Sequence, residues 1–297
     1  MHDSHIHIAL SPLKENILSD IQEFVENGGK KILAQSTDIA DYIDTINLVE
    51  EINTLYPDVI DLALGIHPTV YGECLEKNSV KDIDLYKYAK KQINYFDEVF
   101  EKNKSKVKAI GEVGLDYFEM NTYLDIEEKQ KEELKEIQRM AFKMHTKLSL
   151  KYNLPLSIHS RDLPESTEST KDILKILAHE GKGTAKGVFH SYTGEISSIE
   201  EILNMGMYVG FNAIITYPSG ANVRKLLEEV PLERILFETD GPFLPTQSVR
   251  KNKKDTKRYG RPVLVKEIIQ YAAEIKGVSP EKLEKITDQN YFTLFGK

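Results

Sequence analysis

Met1-His2-Asp3-Ser4-His5-Ile6-His7-Ile8 opens the chain, and its polar residues fall in alternation. Side chains on a strand alternate faces, so on a strand over residues 1–8 His5 and His7 point the same way. Two imidazoles on one face can bind one metal ion. Asp3 shares that face one step deeper, where it would orient an imidazole. With 8 histidines in 297 residues, a chance His-x-His is expected about 0.2 times. The pair gains weight only from what the rest of the chain brings to it.

Working outward, seven further short apolar runs follow, at 31–36, 61–67, 107–113, 155–159, 186–191, 207–214 and 235–239. The segments between them have helical periodicity. It is clearest over 126–152, where Leu134, Ile137, Ala141, Met144 and Leu148 recur at three- and four-residue spacing. Ser169 with Asp172 has the pattern of a capping box ahead of Ile173-Leu174 and Ile176-Leu177. Eight βα units predict a parallel sheet covered by helices. Gly-x-Gly-x-x-Gly after the first strand is missing, which weighs against an open dinucleotide-binding sheet. The expected fold is therefore α/β, a (β/α)₈ TIM barrel forming a single domain over residues 1–297, a length that such barrels commonly reach.

Hydrophobic residues make up 40% and charged residues 29%, an ordinary mix for a chain that buries a large core. Cys74 is the only cysteine, so no intrachain disulfide can form and a thiolate metal site would lack partners. The net charge of −8 disfavours non-specific coating of nucleic acid, though a local basic patch beside a cleft remains compatible with it. The first residues carry no basic n-region, and no apolar run approaches the roughly 20 residues needed to cross a bilayer. A cytoplasmic protein with no membrane partner and no obligate protein partner is expected.

The strands end in metal-ligand side chains. His5 and His7 close the first, Gly65-Ile66-His67-Pro68 the third and Gly111-Glu112-Val113-Gly114-Leu115-Asp116 the fourth. Ile158-His159-Ser160-Arg161 closes the fifth, Phe189-His190-Ser191 the sixth and Glu238-Thr239-Asp240 the eighth. In a barrel all of these reach the C-terminal mouth, where active sites are built. A lone strand-end histidine is more often a hydrogen-bonded structural residue, but five of the eight share this position; His2, His145 and His179 are left as surface or packing residues. Glu112, between Gly111 and Gly114, has space around its carboxylate, and a carboxylate bridging two cations would offset its desolvation. Six ligands, His5, His7, Glu112, His159, His190 and Asp240, are too many for one tetrahedral ion and suit a pair. Mixed imidazole and carboxylate donors point to Zn, Mn or Co, with Mg also compatible.

With these residues in place, the chain resembles the TatD family of metal-dependent deoxyribonucleases, within the amidohydrolase-type barrels. The resemblance spans nearly its whole length. It rests on Asp3-x-His5-x-His7, Gly65-Ile66-His67-Pro68, Gly111-Glu112-Val113-Gly114-Leu115-Asp116-Tyr117, Pro155-Leu156-Ser157-Ile158-His159-Ser160-Arg161, Val188-Phe189-His190-Ser191-Tyr192-Thr193-Gly194 and Glu238-Thr239-Asp240-Gly241-Pro242-Phe243-Leu244. It implies that His5, His7 and Asp240 hold one metal, that His159 and His190 hold the other, and that Glu112 bridges them. It also implies that His67 and Arg161 contact the scissile phosphate.

The expected activity is hydrolysis of DNA phosphodiesters, as a 3′–5′ exodeoxyribonuclease on single strands or 3′ ends, with Asp240 as general base beside Glu112. The same site chemistry admits an amide or ester hydrolase, such as a deacylase of misacylated tRNA, and a barrel that only binds is the third reading. Tyr117, Phe118 and Tyr192 either stack on bases or pack at the rim. Many family members carry Arg/Lys-Asn-x-Pro after the last strand, where this chain reads Tyr259-Gly260-Arg261-Pro262. The lysine-rich loop 251–258 is either solvated surface or a substrate contact, and 77–104 has the pattern of an enlarged helical region.

Overall fold

Short apolar runs that are buried on both faces can satisfy their backbone groups only by pairing with each other, and the helices between them cover the outside. The computed structural model, which describes residues 1–77 and 84–296, has this arrangement. Its first half comprises β1 (His2–Ile6), α1 (Leu13–Glu26), β2 (Lys31–Gln35), α2 (Tyr42–Leu55), β3 (Ile60–Leu64), α3 (Glu73–Lys77), α4 (Leu85–Asn103), β4 (Val107–Asp116), α5 (Tyr117–Thr122) and α6 (Glu128–Tyr152). Next come β5 (Leu156–Arg161), α7 (Glu168–His179), β6 (Gly187–Phe189), α8 (Ile199–Asn204), β7 (Tyr208–Phe211), α9 (Ala221–Glu229) and β8 (Ile235–Phe237). The chain finishes with α10 (Gln247–Lys251), α11 (Val265–Lys276) and α12 (Pro280–Phe295).

The eight strands pair in chain order, each parallel to the next. The seam between β8 and β1 is closed by a parallel bridge between Ile6 and Gly241, with His7 N–H donating to Gly241 O (2.7 Å) and Asp240 N–H to His5 O (2.9 Å). The sheet is thus a nearly closed barrel, and the seam sets Asp240 beside the His5-x-His7 pair.

The ladders end earlier than the apolar runs at several strands. β3 stops at Leu64, β6 at Phe189 and β8 at Phe237. His67, His190 and Asp240 therefore lie just beyond their strands: the His67 N–H bonds to Thr37 O, and Pro68, which has no N–H, starts a 3₁₀ turn. β4 runs longer than expected, to Asp116. The expected capping box at Ser169 and Asp172 is not what starts α7. Instead the Asp162 carboxylate accepts from the Ser169 and Thr170 N–H groups, while Asp172 takes the Tyr117 hydroxyl and Arg139. The capping box that does form is at α6, between Glu127 and Gln130. Of the enlarged region over 77–104, residues 85–103 are one helix, and 78–83 lie outside the described residues.

Inside the barrel, Leu33, Ala63, Ala109, Val188, Tyr208 and Leu236 form a buried cluster with Tyr291, Leu294 and Phe295 of α12. The last helix therefore seals the N-terminal end, and only the C-terminal mouth is left for chemistry.

Candidate metal centre

Two ligand-bearing strands gain one residue against their neighbours where the side chains turn inward. Asp3 pairs with Ile32 and Ile6 with Ala34, three steps of β1 against two of β2. Ile110 pairs with Leu156 and Val113 with Ile158, three steps of β4 against two of β5. Such bulges re-aim side chains beside active sites, and here they fall at His5 and at Glu112. The glycines flanking Glu112 do not make room for its carboxylate, as the sequence had suggested. A Cβ on Gly111 would lie 2.6 Å from Gln35 Oε1 and from Ser157 Cβ, and one on Gly114 would lie 1.9 Å from His159 O. They let the neighbouring strands approach.

The six ligand candidates converge in one buried cluster around Glu112. Its Oε2 faces His5 Nε2 at 3.2 Å and His7 Nε2 at 3.3 Å. Asp240 Oδ1 stands 3.5 Å from His7 Nε2 and 3.9 Å from His5 Nε2. The other oxygen, Oε1, faces His190 Nε2 at 2.6 Å, His159 Nδ1 at 2.9 Å and His67 Nε2 at 3.3 Å. His5 stacks on His190 with ring centroids 3.7 Å apart, which joins the two sides. His67, assigned by the resemblance to the phosphate, thus approaches Glu112 as ligand candidates do. Arg161 is different: it is exposed at the rim, its guanidinium 4.2 Å from the Phe118 ring.

Burial alone would raise the Glu112 pKa, but His190, His67 and His5 outweigh it and hold the carboxyl well below the usual range. Burial would likewise depress His7 and His159. Hydrogen bonds to Asp240 and Glu112 carry His7 up to about 9, and bonds to Asp116 and Glu112 carry His159 up to about 9. The cluster calls for positive charge at its centre. It also sets imidazole nitrogens face to face, His5 Nε2 to His7 Nε2 at 3.2 Å and His67 Nε2 to His159 Nδ1 at 3.3 Å. Each pair can share one proton as a hydrogen bond, and a cation between the two nitrogens can take that proton's place, so the donor set fits divalent ions. Among the described residues, three groups of donors are close enough to share an ion: His5, His7 and Glu112; His5, His190 and Asp240; and His67, Glu112 and His159. All of these except His5 line a cleft of about 540 Å³, with Arg161 and Phe243 also on its wall.

A family model described as TatD-related DNase matches residues 2–296. The chain belongs to the TatD family of metal-dependent hydrolases. An uncharacterized metal-dependent hydrolase of Buchnera aphidicola is 31% identical over 99% of this chain and 95% of its own length. A putative deoxyribonuclease of Mus musculus, TATDN3, is 26% identical over 99% and 88%. Among solved structures, the TatD homologue YJJV of Escherichia coli superposes with a TM-score of 0.74 at 23% identity over 100% of this chain and 98% of its own. A TatD-family hydrolase of Entamoeba histolytica reaches 0.78 at 21%, over 99% and 97%. Both show the same barrel.

In this TatD chain, two carboxylates that the sequence reading did not assign support the cluster. Asp116 Oδ2 is 2.9 Å from His159 Nε2, and Glu238 Oε1 is 3.4 Å from His190 Nδ1 while accepting from the Ser191 N–H. Strand parity was the available signal: Asp116 is four residues from Glu112, and Glu238 is two from Asp240. Asp3 does not orient an imidazole. It accepts from Thr239 and from the His5 backbone N–H, while the His5 ring turns its Nδ1 to Ser157 Oγ at 3.1 Å. Burial pushes Asp3 up to about 8 against those bonds. Tyr117 and Tyr192 are buried and pack, so neither offers a face to a base; Phe118 is half-buried beneath Arg161. His2 and His145 are packing residues and His179 lies at the surface. In the basic loop, Lys257 is tied to Asp20 at 2.6 Å, whereas Lys253 and Lys254 are exposed. Among the described residues no helix is long and apolar enough to cross a membrane.

Proposed function

We propose that the chain hydrolyses phosphodiester bonds of DNA, acting from the 3′ end of single strands, with two divalent ions drawn from Zn, Mn, Co and Mg. The observation that carries this reading is the split of Glu112. One oxygen faces His5 and His7, the other His159, His190 and His67. A bridging carboxylate between two ions is the arrangement used to clamp the attacking and leaving oxygens of a phosphoryl displacement. His5, His7 and Asp240 would hold one ion and His159 and His190 the other. The proximity of His67 to Oε1 favours a second version in which it joins the latter pair. When bound, the ions would supply Lewis acidity towards a phosphoryl oxygen and towards water. Asp240, at the cleft wall, accepts the proton of the attacking water. Arg161, held against Phe118, meets the phosphate from the rim with a planar fork of donors. The name TatD-related DNase of the matching family model supports DNA as substrate.

Single-stranded DNA labelled at its 3′ or 5′ end, incubated with each of the four ions and with chelator, tests bond type, polarity and metal together. Stepwise loss of the 3′ label that stops on chelation is the expected result. Turnover confined to aminoacyl or carboxylic esters would overturn the phosphodiester assignment in favour of acyl hydrolysis.

A further inference from the structure

Helix α4 presents a stripe that lines a second cavity. Lys87, Lys90, Lys91, Asn94, Tyr95 and Glu98 recur at three- and four-residue spacing on one face, opposite the buried face of Leu85, Ala89, Phe96 and Val99. With Ile39 they enclose a groove of about 590 Å³. All three lysines are exposed, and among the described residues none of them has a carboxylate partner, whereas Lys31, Lys106 and Lys135 are each paired. Glu98 is the one acid on the stripe, at its far end. In a chain of net charge −8 the stripe thus sets three lysines against one acid.

The groove and the metal cleft share the β2–α2 loop as a wall. Thr37 lines the cleft and Ile39 lines the groove, so the two walls lie within about 7 Å along the chain. The Asp41 carboxylate takes the N–H groups of Thr37 and Asp38 and the Thr37 hydroxyl, and Thr37 O takes the His67 N–H. Tyr95, half-buried and stacked on Tyr42 with centroids 6.2 Å apart, adds an aromatic wall. Cations along a groove with an aromatic face suit a single nucleic-acid strand, whose phosphates meet the lysines while bases stack.

We propose that the α4 groove carries the phosphate backbone of single-stranded DNA whose reacting end lies in the metal cleft, with Lys87, Lys90 and Lys91 as its contacts. This rests on the phosphodiesterase reading above. Fluorescence anisotropy in chelator, with labelled strands of roughly 12 and roughly 3 nucleotides, compares the full chain with K87A/K90A/K91A. Alanine favours the helix, so the fold is retained. The expected result is several-fold weaker binding of the long strand, a salt slope lower by about 2 for three lost phosphate contacts, and no change with the short strand. Substitution of the three lysines by arginine should restore the slope. Equal affinity and slope in the alanine variant, while the unaltered protein cleaves DNA with metal, would overturn the groove and leave the activity standing. An unaltered protein that neither binds the long strand nor cleaves it with any of the four ions would overturn both.

Discussion

At the N-terminal end of the barrel, His2 stacks on Tyr291 with centroids 4.5 Å apart and bonds to Asp288, whose other oxygen holds Lys30 at 2.6 Å. Beside them Asp61 takes the Tyr291 hydroxyl at 2.9 Å and Lys31 at 3.1 Å. At the C-terminal mouth, five imidazoles meet Glu112 and Asp240 with no lysine or arginine inside the cluster. Both ends bury histidine against carboxylate. At the closed end Asp288 and Asp61 each have a lysine partner, and Asp61 the Tyr291 hydroxyl as well; at the mouth, imidazole nitrogens face one another and the two carboxylates. Complete pairing stabilises a buried charge, whereas imidazoles and carboxylates turned towards one centre form a donor set for a cation.

The sharpest way to break this comparison is His5→Ala. It should lower metal-dependent hydrolysis by more than about 100-fold, beyond the loss typical of an outer partner, and abolish the rise in Tm on adding Zn or Mn. Wild-type turnover in that variant would remove the mouth from the chemistry. Tyr291→Ala, at the other end, should cost about 3–5 kcal/mol in urea unfolding with kcat per folded molecule unchanged. Loss of kcat without loss of stability would show that the closed end is not merely structural.

Asp288→Asn should cost about 1.5–3 kcal/mol, the worth of hydrogen bonds to a charged group. Burial would raise Asp288, but His2 and Lys30 outweigh it and lower the carboxyl to about 2. A carboxylate depressed in the folded state stabilises above its ordinary value and loses that contribution as pH falls through the folded one. The gap between variant and wild type should therefore close between about pH 4 and pH 2; a gap that is flat with pH would mean that the charge is not the source. Asp116→Asn should weaken metal affinity by about 10–100-fold without unfolding the barrel, read by calorimetric titration.

Much of the mouth was legible because strand alternation and strand order are local rules. His5 with His7, and the histidines and carboxylates in or just after β3 to β6 and β8, needed only the barrel topology to converge. Asp116 and Glu238 were missed because both read equally well as turn and salt-bridge residues until their distances to His159 and His190 are known. Tyr117 and Tyr192 were left open between stacking and packing, and both pack. An aromatic after a strand can turn outward or inward, and the packing around it selects. The stripe on α4 has the spacing of a buried face, and only its placement beside the β2–α2 loop makes it a groove wall.

By itself the sequence determined the eight βα units, the candidate metal ligands and the end of the barrel they occupy, since periodicity and side-chain chemistry are properties of neighbouring residues. Tertiary structure decided how Glu112 divides its oxygens, that His67 stands as close as the ligand candidates and that α12 closes the far end. Bulges, seam hydrogen bonds and close strand approach are relations between segments up to hundreds of residues apart, and no local pattern encodes them.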